Sequence, residues 1–198
     1  MVATVERADI LSPIKGTGQA SANDADGIDP REFRRTMGAF ATGVTVITTR
    51  DGDEAHGMTA NSVTSVSLDP PLVLVCIDNR AHMRASITGS GRFAVNILGE
   101  GQKRLSGHFA GRKSPDLEVA FADVDGVPAL PGSLASLVCT VDRVVDAGDH
   151  IVVFGRVDKL VAPHGDERPL IYYGGAYREL VAGSDSNNFL VHDLPYVF

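Results

Sequence analysis

No apolar run in the chain approaches the roughly 20 residues that a membrane-spanning helix needs, so no membrane partner is expected. Basic charge is also short. There are 18 Lys and Arg against 25 Asp and Glu, and the formal net charge is -7. Nucleic-acid recognition wants a basic face, so that class of partner is not expected either. Residues 1–16 have no long apolar core and do not read as a secretory signal. Cysteine is limited to Cys76 and Cys139, both inside apolar, strand-like runs. They read as buried, unbridged thiols, which fits a cytoplasmic, reducing location. The Walker loop and the GxSxG elbow are missing. GTGQAS (16–21) has two glycines of a dinucleotide loop but precedes no strand–helix unit. The six histidines are scattered without ligand spacing, so no metal site is expected.

What remains describes one domain of 198 residues, 43% apolar and long enough to bury a full core. Residues 1–28 are poor in large apolar groups and read as a disordered or loosely packed arm. A domain is expected over 29–182, then a linker and an apolar tail over 183–198. In DPRE, Asp29 can cap a helix with Pro30 at its first position. Phe33, Met37 and Phe40 recur at helical spacing, which predicts a stripe facing a core, with Gly43 as the stop. Strands are predicted at 44–49, 72–77, 93–98, 137–145, 150–160, 170–173 and 176–180, and short helices at 81–88 and 101–109. The run at 72–77 reads as fully buried, with Pro70 and Pro71 confined to its start. Strands dominate and do not alternate regularly with helices. A mostly β, largely antiparallel barrel with a few helices follows.

The stretch HGMTANSVTSVSLDPPLVLVCIDN (56–79) sets short hydroxylic and amide side chains beside an apolar run. A flavin has matching needs: packing for a flat ring, and hydrogen bonds for its pyrimidine edge and ribityl chain. A hydroxyl-rich edge strand of no special role explains the stretch equally well on composition alone.

With FRRTMGAFATGVTVITT, SGRFAVNIL, GDHIVVFGRV and PLIYYGGAYREL in the same order, the chain resembles the flavin reductase family that supplies reduced flavin to two-component monooxygenases. The resemblance covers residues 29–180. It implies a split β-barrel of the FMN-binding type, a homodimer, and NAD(P)H-dependent hydride transfer to FAD or FMN. A separate flavin-dependent monooxygenase is then the acceptor of the reduced flavin. The implied flavin site runs from His56, Gly57, Met58 and Thr59 to Asn61 and Ser62. It continues through the backbone of Cys76, Ile77 and Asp78 to His82 and Met83, at a helix start suited to phosphate. His108, Phe109, Ala110, Gly111, Arg112 and Lys113 form a second phosphate-side loop, unless the basic pair is merely a solvated turn. FAD is favoured over FMN because two basic groups are available for a second phosphate. AHMRAS (81–86) stands where relatives carry a run of hydroxyl residues, so the phosphate end is where the chain departs from its family. His150, in GDH, is implied beside the nicotinamide as a positioning group, with Tyr173 able to pack on a ring. Neither NADH nor NADPH is singled out. The alternatives are a flavin-binding electron-transfer protein of the same fold, and an oxidase of the pyridoxamine-phosphate type. The second is disfavoured by the lack of a basic cluster for a phosphorylated amine.

Overall fold

The computed structural model describes residues 27–161 and 167–180. The linker and tail expected over 183–198 lie outside these residues, as does the N-terminal arm except for its last two positions. The first helix, α1 (Pro30–Met37), starts as its sequence dictates: the Asp29 carboxylate accepts the Arg31 N–H at 2.9 Å and Pro30 occupies the first turn. The rest of the helical reading needs correction. The helix ends at Met37, where the Gly38 N–H donates to the Arg34 carbonyl, and Gly43 lies in a strand instead. Its apolar stripe also faces no core among the described residues: Phe33 and Met37 are 56% and 51% exposed, and Phe40, beyond the helix end, is 69% exposed. Periodicity reports that a helix has an apolar face, but not which chain covers it.

The strands follow in order: β1 (Thr42–Gly43), β2 (Thr45–Asp51), β3 (Glu54–Ala60), β4 (Val63–Leu68) and β5 (Pro71–Asp78). Helix α2 (His82–Ser90) stops at Gly91, whose φ of 68° only glycine adopts freely. Then come β6 (Arg92–Ile97), a single 3-10 turn, α3 (Lys103–Phe109), β7 (Ala122–Val124), β8 (Val127–Ala129), β9 (Ala135–Ala147), β10 (His150–Val161), β11 (Ile171–Tyr173) and β12 (Ala176–Arg178). Strands β3 and β4 are not among the predicted ones, and neither is the β7–β8 hairpin. Its strands have three residues each, and its signal is the Asp125-Gly126 pair, both at positive φ.

The main sheet is antiparallel, in the order β3-β2-β6-β9-β10-β5-β4. Its two edges, β3 and β4, are consecutive in the chain and separated only by Asn61 and Ser62. Thr45 Oγ1 donates to the Ala60 carbonyl at 2.6 Å, which holds the end of β3 on β2. The Ser62 carbonyl accepts the Cys76 N–H at 3.3 Å, already on β5. The sheet therefore rolls until its edges meet at this link, and no ladder pairs β3 with β4: the architecture is a split barrel, mostly β. A small sheet, β1-β11-β12, is attached through the Val44–Leu170 and Leu98–Val44 backbone hydrogen bonds.

The barrel interior is filled by Ile47, Val75, Ile77, Met83, Ile87, Phe93, Val95, Ile151 and Val153, all at most 1% exposed. The strand predicted as fully buried instead alternates: Val73, Val75 and Ile77 point inward, while Leu72, Leu74 and Cys76 are half-buried on the outer face. Both cysteines are free. Cys139 is fully buried, which pushes its thiol up to about 12, whereas Cys76 is only half-buried, contrary to the expectation for it. One polar side chain inside the apolar strand β6 is fully engaged. Asn96 Nδ2 donates to the Val46 carbonyl and Thr48 Oγ1, and its Oδ1 accepts from the Leu130 N–H and Ser136 Oγ. It locks β2, β6, β9 and the segment after β8 together.

Candidate active site at the barrel seam

Three stretches far apart in sequence converge on β3. At its start, the His56 ring meets the His82 ring edge-on, with centroids 4.8 Å apart. His82 opens α2, and its Nε2 lies 3.3 Å from an Asp51 carboxylate oxygen. Burial holds the His56 imidazole below its ordinary pKa, and the neighbouring His82 charge adds to this while Asp51 opposes it. Next along β3, Gly57 is approached by the Phe109 ring at the end of α3. A Cβ there would stand 2.7 Å from Phe109 Cδ1, so the glycine makes room for an aromatic ring of its own chain. Met58 packs on the barrel core. Thr59 Oγ1 donates to the Ser106 carbonyl at 2.7 Å, and the Ser106 hydroxyl lies 2.8 Å from the Tyr177 hydroxyl. This chain of contacts ties α3 and the small sheet to β3. Tyr177 thus joins the site's scaffold, though no sequence pattern singled it out.

At the seam, the Asn61 side chain makes no hydrogen bond among the described residues and is exposed. Ser62 Oγ donates to the Cys76 carbonyl at 3.1 Å, which leaves the hydroxyl oxygen able to accept. Beside these two residues lies a groove of about 750 Å³, with apolar walls from Val63, Val73, Val95, Ile97 and Leu137 and with Met37, at the end of α1, and Phe40, beyond it, on its border. Thr42 lines it too, and the Thr42 hydroxyl is buried without a partner among the described residues.

The strand β5 leaves the seam toward a charged end. Ile77 is core, Met83 is core, and their backbone alone can meet a ligand. Asp78 is held by Arg80 through the backbone N–H, Nε and a terminal nitrogen at 2.8, 3.1 and 2.7 Å, which keeps its carboxyl far below the usual range. Helix α2 begins after Ala81, which has no side chain able to cap, so its first-turn N–H groups have no capping side chain. At the end of α3, His108 Nδ1 is buried without a partner among the described residues, and Ala110 and Gly111 (φ 88°) turn the chain. Arg112 and Lys113 follow, exposed and in no ion pair among the described residues.

His150 opens β10 directly opposite Asp78 and so sits beside the outer end of β5. Its Nδ1 lies 2.7 Å from an Asp149 carboxylate oxygen, and the interaction pulls the Asp149 pKa down. Tyr173 is on the small sheet, 46% exposed and next to a turn whose Gly174 N–H donates to the Gly38 carbonyl. Among the described residues no three His, Cys, Asp or Glu side chains cluster as a metal site would require. No helix among them is long and apolar enough to cross a membrane.

The residues gathered here suit a flavin. The groove offers apolar walls for a flat ring. Asn61, Ser62 and Thr42 line it and can meet the polar edge, whereas His56, the α2 start at His82, His108, Arg112, Lys113 and His150 lie outside its lining and could serve only the parts of a flavin or nicotinamide that extend beyond it.

Comparison with known proteins agrees with that chemistry. A NADH-dependent flavin reductase from Rhodococcus is 46% identical over 156 residues, covering 77% of this chain and 88% of the relative. The reductase subunit HsaB of a flavin-dependent monooxygenase, from Mycobacterium tuberculosis, is 46% identical over 157 residues, covering 76% of this chain and 82% of the relative. The solved structure of the NADH:FAD oxidoreductase SgcE6 of Streptomyces globisporus C-1027, in complex with NAD and FAD fragments, is similar with a TM-score of 0.71 at 36% identity. That match covers 81% of this chain and all of SgcE6. Residues 37–181 match the flavin reductase like domain, and the chain belongs to that family.

Proposed function

We propose that the protein is an NAD(P)H-dependent flavin reductase that reduces FAD and releases it to a separate flavin-dependent monooxygenase, with FMN as the shorter alternative flavin. The observation that carries this reading is the seam. Asn61 and Ser62 bridge the two sheet edges at the mouth of an apolar groove, and α2, α3 and the start of β10 converge around the same strands. When bound, the flavin supplies a two-electron acceptor at N5. The chain's part is to hold, orient and exclude water. Groove walls pack the ring, and Asn61 and Ser62 meet its polar edge. The α2 start, His108, Arg112 and Lys113 take the phosphates. His150 orients the nicotinamide. Hydride transfer needs no general base, so no residue is assigned that role. The free thiols fit a cytoplasmic location.

Release is tested by gel filtration after anaerobic reduction with NADH. Reduced flavin should elute in the small-molecule fraction. Flavin that stays with the chain would support an electron-transfer protein instead.

Asn61→Ala is expected to weaken flavin binding by about 0.5–1.5 kcal/mol, roughly 2- to 13-fold in Kd, because one polar contact is lost. Ser62→Ala should cost less, since its hydroxyl already serves the Cys76 carbonyl. A fluorescence titration checks this. Unchanged affinity in both variants would make the seam purely structural.

The protein is a homodimer in this reading. Phe33 and Met37 on α1, Phe40 just beyond it, and Leu68 at 71% exposure on the edge strand β4 form apolar surface that the other described residues leave uncovered. Light scattering at micromolar concentration should give twice the 20.9 kDa chain mass, and the monomer mass would reject it.

A further inference from the structure

Asn79 has no part in the flavin contacts proposed above, yet it touches the segment that presents His150. Strands β9 and β10 are joined by the turn at Gly148 and Asp149, with Gly148 at a φ of 65°. The β10–β5 ladder runs out at the His150–Asp78 pair. Beyond that pair, the chain on the β5 side continues to hold the turn. The Asn79 N–H donates to the Asp149 carbonyl at 3.0 Å, and Asn79 Nδ2 donates to the Gly148 carbonyl at 3.3 Å. Asn79 Oδ1 is buried without a partner among the described residues, so the one side-chain hydrogen bond this amide makes among them is the one to the turn.

The consequence is geometric. The ladders on both sides of β10 end at His150, which pairs with Ala147 and with Asp78, so Gly148 and Asp149 at the tip lie beyond the last ladder pair and Asn79 reaches them from the β5 side. The Asn79 clamp ties that tip to β5, whose Cys76 is hydrogen-bonded to Ser62 at the seam. A nicotinamide held at His150 is thereby registered against a ring held at the seam. Small displacements of reacting atoms are costly to hydride transfer.

We infer that Asn79 is a positioning residue for nicotinamide turnover, acting through the Gly148–Asp149 turn on His150. The inference rests on the placement of the nicotinamide at His150. The test is a double-variant cycle on the full chain, reading kcat/KM for NADH at saturating FAD beside a flavin titration. Asn79→Ala should lower kcat/KM by about 5- to 10-fold and leave flavin affinity within about 2-fold, since the amide acts on the turn alone. Asn79→Asp keeps the size but loses the donor, and should behave as Asn79→Ala does. In a His150→Ala background neither substitution should cause a further loss, because the group they position is gone. Independent losses that multiply in the double variant would overturn the inference, as would an equal loss of flavin affinity. If His150→Ala alone leaves kcat/KM unchanged, the His150 placement itself falls and the Asn79 role falls with it. If His150→Ala is damaging and both Asn79 variants are silent, only the clamp is refuted.

Discussion

Gly155→Ala should destabilise the protein by about 3 kcal/mol, at the upper end of what an added core methyl group costs. Gly155 lies in β10, beside an irregularity in its pairing with β9. An alanine Cβ would stand 2.8 Å from Phe93 Cε1 and 3.0 Å from Cys139 Cβ. Neither neighbour can yield easily. Phe93 is fully buried among Ile47, Val95 and Val153, and Cys139 is fully buried as well. In an interior packed to crystal density, the ring must leave its rotamer or the strand must shift. At about 2–4 °C per kcal/mol for a domain of this size, the melting temperature should fall by about 6–12 °C. Gly89→Ala makes the control. It is helical, and nothing lies within 4 Å of its added Cβ, so it should be neutral or slightly stabilising. Equal melting temperatures for the two variants would contradict the packing argument. Gly57→Ala should be milder than Gly155→Ala, because the ring it strikes, Phe109, is only partly buried.

His150→Ala should lower kcat/KM for NADH by one to two orders of magnitude, about 1.4–2.8 kcal/mol of transition-state stabilisation. Flavin affinity should change far less. The imidazole is anchored twice. Its backbone pairs with Asp78 and Ala147, and its Nδ1 meets Asp149 at 2.7 Å, so its direction is fixed by the turn and by the carboxylate. That arrangement suits orientation of a neutral amide and does not require proton transfer. Steady-state NADH oxidation at saturating FAD, with a flavin titration alongside, separates the two effects. Unchanged kcat/KM would remove His150 from the site. A loss confined to flavin binding would move it into the flavin's own pocket.

Five strands of the barrel are legible because their apolar patterns are local, whereas the more polar edge strands β3 and β4 are not. β2, β5, β6, β9 and β10 are rich in Val and Ile, and α2 is closed by a glycine that takes a left-handed conformation. The seam residues stood out through the family resemblance, because on composition alone a hydroxyl-rich edge strand explains the stretch equally well, and β4 is such an edge strand, mostly exposed. Long-range relations were less visible. The Ser106–Tyr177 hydrogen bond spans 71 positions, and the Asn79–Gly148 bond spans 69. Neither leaves a spacing signal. The glycine at 57 reads as an invitation to a ligand, whereas Phe109 occupies the space above it. The α1 stripe shows the same limit from another side, since its amphipathic pattern is correct and its partner surface lies outside the chain's own core.

Anaerobic mixing of catalytic amounts of the protein with excess NADH and excess FAD tests the central claim most directly. The absorbance of oxidised flavin should bleach through many equivalents per chain, at a rate proportional to protein concentration. Bleaching that stops at one equivalent per chain, or that proceeds no faster than without protein, would contradict the assignment of a turning-over flavin reductase.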